Sequence, residues 1–550
     1  MRSTLAGCVA AALLAMHGFP PALAQDIRFD IPGFQVEGNT LLPADRIRDL
    51  VAPFAGRQKV YGDVQKALEA LEGEYRRRGY GTVQVYVPEQ ELADGQVRLQ
   101  VSEGVVGKVT ITGNRHFDSD NVRASLPHLR EGMAPNMRQL SENIQLSNEN
   151  PAKQVELTLA TSEEEGKVDI KVDVKEEDPR RVFVTLDNTG TKSSGKHRIG
   201  VSYQNANILN RDQVLTLAYT TALDQPSGVK VDVFSIGYRL PLYGLGDSID
   251  VIYGNSGTTT PASVLAVNSP LALNGKGSVF GLRYNHIFPR EGEYTSKLVV
   301  GYDIKHMNTR CTTNGNPTPF NPGDAGLIAS CTPYTLRPVT ATYSGQWQRP
   351  GEAIDFNVGA THHMFPVGSR YLGPQGVDRY SYVTTRQTSD TFSALRLGGS
   401  YTTAVFGEWL ARGAVNAQYS KNPLPAGEQL GLAGGSSVRG FLERAVAADR
   451  GYVANLEVYT PEQAASFGLQ GSLKGLLFVD WASGHNLAAN SFARANVASV
   501  GVGFRYNLNK DISARFDLAR VMEGHQPSPG TAEAAKPGDI RGHFGLAFGF

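Results

Sequence analysis

From Arg180 onward the chain reads as long segments in which every second residue is apolar. Leu298, Val300, Tyr302 and Ile304 share one face of such a segment, opposite Val299, Gly301, Asp303 and Lys305. Val502, Phe504, Tyr506 and Leu508 oppose Gly501, Gly503, Arg505 and Asn507 in another, and Ile512, Ala514, Phe516 and Leu518 oppose Ser513, Arg515 and Asp517 in a third. Strand side chains point alternately to two faces, so each segment is a strand with one apolar face and one small or charged face. Soluble sheets alternate too, but these segments run to about ten residues or more, and their second face suits a wet lumen. A closed barrel with lipid outside and water inside satisfies every backbone group and both faces.

Roughly sixteen strands can be counted, near 181–188, 197–205, 213–221, 230–241, 248–254, 277–288, 295–306, 334–348, 352–364, 390–402, 407–420, 450–460, 472–481, 497–508, 511–520 and 541–550. An even number returns the chain to its starting side. Short turns such as Asn507–Lys510 then face the periplasm, and the longer gaps 308–333, 365–389 and 421–449 face outward. In the last strand Phe544, Leu546, Phe548 and Phe550 alternate with Gly545, Ala547 and Gly549. A terminal aromatic in that setting resembles the assembly signal of outer-membrane barrels.

Residues 1–24 have the pattern of a secretory signal. Arg2 supplies the positive start, Leu5–Met16 the apolar stretch, and Ala22-Leu23-Ala24 a cleavage site with a mature start at Gln25. Leu5-Ala6-Gly7-Cys8 has the letters of a lipoprotein box but precedes most of the apolar stretch instead of following it. Export to an oxidising compartment leaves Cys311 and Cys331, which flank a Pro/Gly/Asn-rich segment between the seventh and eighth strands. A disulfide closing that loop is expected, worth roughly 3 kcal/mol in the chain-entropy account. Lys and Arg balance Asp and Glu at 53 each, which gives no reason to expect nucleic acid as a partner.

Residues 26 to 178 have a different texture. Ile27–Glu37 reads as a strand and Pro43–Phe54 as a helix. Gly62–Arg78 reads as a second helix with Val64, Leu68, Leu71 and Tyr75 on one face, stopped by Gly79. Strands follow at Thr82–Val87 and Val97–Val101, around a turn at Asp94-Gly95. The order then repeats. Val109-Thr110-Ile111-Thr112-Gly113-Asn114 echoes Phe34-Gln35-Val36-Glu37-Gly38-Asn39 at a spacing of about 75 residues. Helices near Ser119–Leu126 and Asn136–Asn148 and strands at Gln154–Leu159 and Lys167–Val174 complete the second copy. The charged run Glu176-Glu177-Asp178 before Pro179 marks the boundary.

Catalytic patterns are weak. His362 and His363 are adjacent on a strand, so they point to opposite faces and cannot share a metal. No nucleophile elbow, zinc motif or phosphate loop is visible, so neither a catalytic residue nor a metal or other cofactor is expected. Arg76-Arg77-Arg78 offers an anion site on one reading and a dipole-matched helix end on the other, the second being preferred. Two late stretches are more informative. Gly434-Gly435-Ser436-Ser437-Val438-Arg439-Gly440-Phe441 lies in the long gap before the twelfth strand, and Phe478-Val479-Asp480-Trp481-Ala482-Ser483-Gly484 ends the thirteenth. An arginine beside glycine suits a loop folded back into a pore, where its planar fork can take a carboxylate with two hydrogen bonds. Alternation puts Phe478 and Asp480 on one face and Leu477, Val479 and Trp481 on the lipid face.

With these residues in view, the chain resembles the transporters of the two-partner secretion (TpsB) family. The resemblance rests on the tandem POTRA-like pair with Arg78-Gly79-Tyr80, Val87-Pro88-Glu89-Gln90 and Val97–Gly104, on Val438-Arg439-Gly440-Phe441 as the loop-six signature, and on Phe478, Asp480 and Gly484 as its barrel-wall partner. Asp187-Asn188-Thr189-Gly190 with Asn207–Asp212 resembles the family's opening hairpin. The resemblance implies a mainly β fold, a 16-stranded antiparallel transmembrane β-barrel preceded by two α+β POTRA-like domains. Its parts are a signal peptide at 1–24, POTRA-like domains at 25–104 and 105–178, and the barrel at 179–550. It further implies a transporter in the outer membrane of a Gram-negative bacterium, in contact with outer-membrane lipid and not an enzyme. The cargo would be a secreted exoprotein of adhesin, haemolysin or contact-dependent toxin type. A barrel-assembly factor of the same superfamily is the alternative, and a passive porin a more distant one. Many members carry an N-terminal plug helix, for which the residues after Gln25 leave no room, so loop six is expected to close the pore alone.

Overall fold

The computed structural model describes residues 28–90, 96–192, 194–227, 229–257, 276–307, 312–313, 316–317, 334–363, 391–487, 493–525 and 535–550. The expected signal segment, the Asp94-Gly95 turn, Cys311 and Cys331 lie outside them. The chain folds as two compact units that part between Val105 and Val106.

The first unit holds β1 (Phe29–Ile31), β2 (Gly33–Glu37), α1 (Ala44–Val51), β3 (Gly56–Lys59), α2 (Tyr61–Arg77), β4 (Gln84–Tyr86) and β5 (Gln96–Ser102). The single strand expected over Ile27–Glu37 is broken at Pro32, which cannot donate to a ladder. Its first part pairs antiparallel with β3, and its second pairs parallel with β5, which β4 flanks on the other side. The first expected helix ends at Val51, and Ala52–Phe54 tightens into a 3-10 turn around Pro53. Helix α2 buries Val64, Ala67, Leu71 and Tyr75 against Ile31, Val85, Val97 and Leu99. The basic turn after α2 is neutralised internally. Glu74 accepts from Arg77 at 2.6 Å, Arg78 at 3.0 Å and Arg46 at 3.2 Å, while Arg76 pairs with Glu72. Those hydrogen bonds, led by that of Arg46, hold the Glu74 carboxyl down to about 2.

The second unit contains β6 (Val105–Thr112, its first residue at the division), α3 (Ser119–Ser125), α4 (Met137–Asn148), β7 (Lys153–Thr161) and β8 (Lys167–Glu176), with the sheet ordered β6-β8-β7. Asp118 caps α3 through Asn121 N, and Asn136 caps α4 through the amides of Arg138 and Gln139. Sixteen strands then close a barrel: β9 (Arg180–Asp187), β10 (Arg198–Ile208), β11 (Gln213–Ala222), β12 (Asp232–Leu242), β13 (Asp247–Gly257), β14 (Lys276–Ile287), β15 (Tyr294–Met307), β16 (Val339–Arg349), β17 (Glu352–His363), β18 (Phe392–Phe406), β19 (Trp409–Ser420), β20 (Arg450–Tyr459), β21 (Ser472–His485), β22 (Arg494–Asn507), β23 (Ile512–Glu523) and β24 (Ile540–Gly549). Neighbouring strands run antiparallel, and β24 returns to β9 with Ala547 opposite Thr185 and Gly549 opposite Phe183. Asn188 stitches the same seam, donating to Gly542 O at 2.8 Å and accepting from Phe544 N at 3.0 Å.

Outward-facing Tyr219, Phe234, Tyr253, Leu282, Leu397, Tyr419, Leu477, Val479, Trp481, Val502 and Phe504 all stand exposed, a belt that only lipid can cover. Among the described residues no helix is long and apolar enough to cross a membrane, so the crossing is made by strands. The expected boundary near Pro179 falls inside the second unit, because the core of the second POTRA-like copy takes in Ala206 and Val214 of β10 and β11.

Candidate functional site: a loop latched across the lumen

Between β19 and β20 the chain does not stay outside. Residues 421–449 fold back into the barrel as a hairpin, with Leu430–Gly431 paired to Ala447–Ala448 and Leu432 N donating to Val446 O at 2.8 Å. Leu432, Val438, Phe441 and Val446 pack on Val453, Ala482, Ala495, Val497 and Val521 of the wall. The lumen face thus carries an apolar patch under this part of the loop. Gly484 makes that approach possible: a Cβ there would stand 2.5 Å from both Leu432 Cδ1 and Ala448 Cβ.

At the hairpin's tip Gly440 adopts φ 96°, a conformation that suits glycine, and its amide donates to His543 Nε2 at 2.9 Å. The turn aims Arg439 at β21. Arg439 Nε and Nη2 donate to the two oxygens of Asp480 at 2.7 Å each, and the Arg439 amide adds a third bond to Asp480 Oδ2 at 3.1 Å. Asn455 donates to Asp480 Oδ1 at 2.8 Å and to Ser437 O at 2.9 Å, tying wall to loop a second time. The guanidinium lies 3.5 Å above the Phe478 ring, a cation–π contact in a desolvated setting. Asp480 and Phe478 are buried, as their place on the lumen face of β21 requires.

Sequence reasoning brought Arg439, Gly440, Phe478, Asp480 and Gly484 together and missed two carboxylates. Arg439 Nη1 also meets Glu457 at 2.9 Å and Asp517 at 3.6 Å. Arg412 pairs with Glu457 at 3.2 Å and Arg505 with Asp517 at 2.9 Å, so three cations balance three anions. Register explains the omission. Glu457 stands opposite Phe478, Asn455 opposite Asp480, and Asp517 opposite Gly503. One signal was available: Gly501 and Gly503 alternate on β22, and a Cβ on either would stand 2.4 Å from the Phe478 ring or 2.3 Å from Asp517. The side chains of Val438 and Phe441 serve as apolar anchors. His362 and His363 point to opposite faces, the first bonded to Ser393 and the second stacked on Phe392. Among the described residues no cluster of His, Cys, Asp and Glu is arranged to hold a metal.

Residues 29–104 match the profile of the POTRA domain, ShlB-type, and residues 166–316 and 365–506 match that of the haemolysin secretion/activation proteins ShlB/FhaC/HecB. The outer membrane transporter CdiB of Dickeya dadantii (strain 3937) is 23% identical over 433 residues, 77% of this chain and 71% of that protein. CdiB-2 of Burkholderia pseudomallei (strain 1026b) is 27% identical over 223 residues, 40% of this chain, and the matched part spans 34% of the relative's length. The solved structure of CdiB from Escherichia coli shares the fold, with a TM-score of 0.72 at 19% identity over 98% of this chain and 93% of that one.

Proposed function

Since the chain belongs to the ShlB/FhaC/HecB family of haemolysin secretion and activation proteins, we propose that it is a two-partner secretion transporter gated by the latch of Arg439 on Asp480. The barrel resides in the outer membrane and the POTRA-like copies in the periplasm. The observation that carries the reading is a loop folded into a closed 16-stranded barrel and held there by one buried arginine with four partners, Asp480, Glu457, Asp517 and Phe478.

The cargo is an exoprotein in extended form. A POTRA sheet offers main-chain hydrogen bonds to an added strand, and such bonds recognise an unfolded chain with little regard to its side chains. A barrel of this size has width for a passage once the loop moves. Transport of this kind needs no cofactor and no catalytic group, and folding of the cargo outside supplies direction. The haemolysin family name points to an exoprotein of haemolysin type as cargo, and the even balance of charge, 53 against 53, gives no reason to add nucleic acid.

The experiment is a double-mutant cycle on secretion. Arg439→Ala leaves Asp480 buried without its cation, at a cost of about 3–5 kcal/mol to the latched state, while Asp480→Ala removes the guanidinium's two-pronged partner and leaves it only Glu457 and Asp517. Both should cripple secretion while the barrel still inserts. Arg439→Lys should rescue little, because lysine lacks the fork. Non-additive defects in the double variant are expected; strictly additive defects would end the latch reading.

A further inference from the structure

Two cavities flank the loop. One, of about 820 Å3, lies between α4 and the lumen faces of β15 to β19, where Ser296, Asn357, Ser400 and Asn416 face Ile144 and Gln145. The other, of about 640 Å3, is lined by Ser202, Thr216 and Ser235 on one side and Ser513 and Gly545 on the other. The latch of Arg439 lies outward of the second, beside His543 and Asp517, and a different part of the loop lies outward of the first. Gln418 is the next lumen-facing position outward from Asn416, and Arg396 and Thr361 lie two such positions outward from Ser400 and Asn357. At that level sits Glu428, in the first arm of loop six, its side chain buried.

Glu428 accepts from Lys305 of β15 at 2.6 Å and from Arg396 of β18 at 2.8 Å. Its carbonyl accepts from Gln418 of β19 at 3.0 Å, and Arg396 also donates to Gln418 at 2.9 Å. Four residues earlier Leu424 is fully buried among Met307, Leu336, Phe392 and Ala394. The loop is thus tied at both sides of the lumen with opposite polarity: a loop cation on wall anions at Asp480, and a loop anion on wall cations at Glu428. Beside the apolar seat of Leu424, a buried carboxylate with two cationic partners fixes the arm 421–430 over the larger cavity.

We infer that Glu428 is a second positioning residue of the gate, holding the first arm of loop six as a lid on the β15 to β19 side, and that the exported polypeptide passes through the cavity beneath it. This rests on the reading of the lumen as the conduit. Breaking the Glu428 anchor opens that cavity to the outside and leaves the opposite one as it was.

The test uses the full chain in intact cells, with Cys311 and Cys331 replaced by serine. A reporter thiol is placed in either cavity, Ser400→Cys or Ser202→Cys, and labelled from outside with a membrane-impermeant maleimide. Adding Glu428→Arg should speed labelling at Ser400→Cys about tenfold or more and leave Ser202→Cys unchanged. Arg396→Glu together with Glu428→Arg should restore slow labelling, a rescue by charge exchange. Glu428→Gln, close in shape, should give a smaller acceleration and serves if the arginine variant does not assemble. Labelling of Ser400→Cys that ignores both substitutions overturns the inference, and so does acceleration at Ser202→Cys instead. Secretion by the unaltered chain is followed in parallel; its absence would sink the transport reading while leaving the labelling comparison intact.

Discussion

In each POTRA-like copy a glycine of positive φ follows the first strand of the three-stranded sheet, Gly38 in one and Gly113 in the other, against the carbonyl of Val101 or Val174. In each, a glutamate at the end of the sheet accepts amides from the next loop, Glu103 from Thr40 and Leu41, Glu176 from Arg115 and His116. The copies then diverge. The core of the first is assembled from residues between Phe29 and Val101, including Ile31 of the β1–β3 ribbon. The second has no such ribbon among its described residues, and Ala206 and Val214 of the barrel join its core instead. Its polar groups follow. Lys153 is buried against Asp212, with Asn121 and Tyr243 around them, and Glu149 accepts from Arg239 at 2.8 Å and Lys297 at 3.1 Å. One repeat unit closes its core with its own residues and the other shares its core with the barrel, and burial rather than repeat length decides which.

The largest expected effect comes from excising residues 28–104. The remaining unit has its own core, so a heat-resistant barrel should still assemble while secretion falls to background. Secretion that survives the excision would show that the first copy is dispensable. Next is Lys153→Met, which leaves Asp212 buried with its counter-ion gone and should cost about 3–5 kcal/mol. Protease sensitivity of residues 106–178 reads the loss, and Asp212→Asn added to it should recover part of it. If Lys153→Met proves harmless, the docking of the second copy rests on its apolar contacts alone.

Gly38→Ala and Gly113→Ala probe what the copies share. Both glycines have positive φ, and an added Cβ would stand 2.3 Å from Val101 O or 2.2 Å from Val174 O. Each substitution should cost about 1–3 kcal/mol in denaturant unfolding, and similar values are expected at the two sites. The smallest effect belongs to Glu74→Gln. Its arginine partners are 42–66% exposed and screened by water, so about 1 kcal/mol or less is expected. The sign with pH follows from the lowered carboxyl. The contribution is fully present above the ordinary 4.5 and is lost as pH falls toward about 2, so the wild type should lose stability across that window more steeply than Glu74→Gln.

The barrel was legible because a period of two sustained over many strands admits few other folds. The N-terminal region was legible as a repeat, through Gly38-Asn39 and Gly113-Asn114, and less so in its details. Strand β3, Gly56-Arg57-Gln58-Lys59, has no apolar alternation at all, and only its pairing with β1 makes it a strand. At the latch, Arg439 and Asp480 could be found because each sits in a recognisable string of residues. Glu457, Asp517 and Glu428 sit in none. Their roles depend on the register between neighbouring strands, and on where a long loop comes to rest, and neither is written locally.

The alternation of the barrel strands also governs how such a chain reaches its destination. A protein bound for the outer membrane must first be threaded through the inner one, where any stretch of about 20 apolar residues would be retained as a helix. Gly501, Gly503, Arg505 and Asn507, set between Val502, Phe504 and Tyr506, dilute the apolar content below that threshold while the chain is extended. Only when neighbouring strands pair does the same spacing sort the residues into an oily exterior and a wet interior. Membrane affinity is thus latent in the unfolded chain and is created by folding.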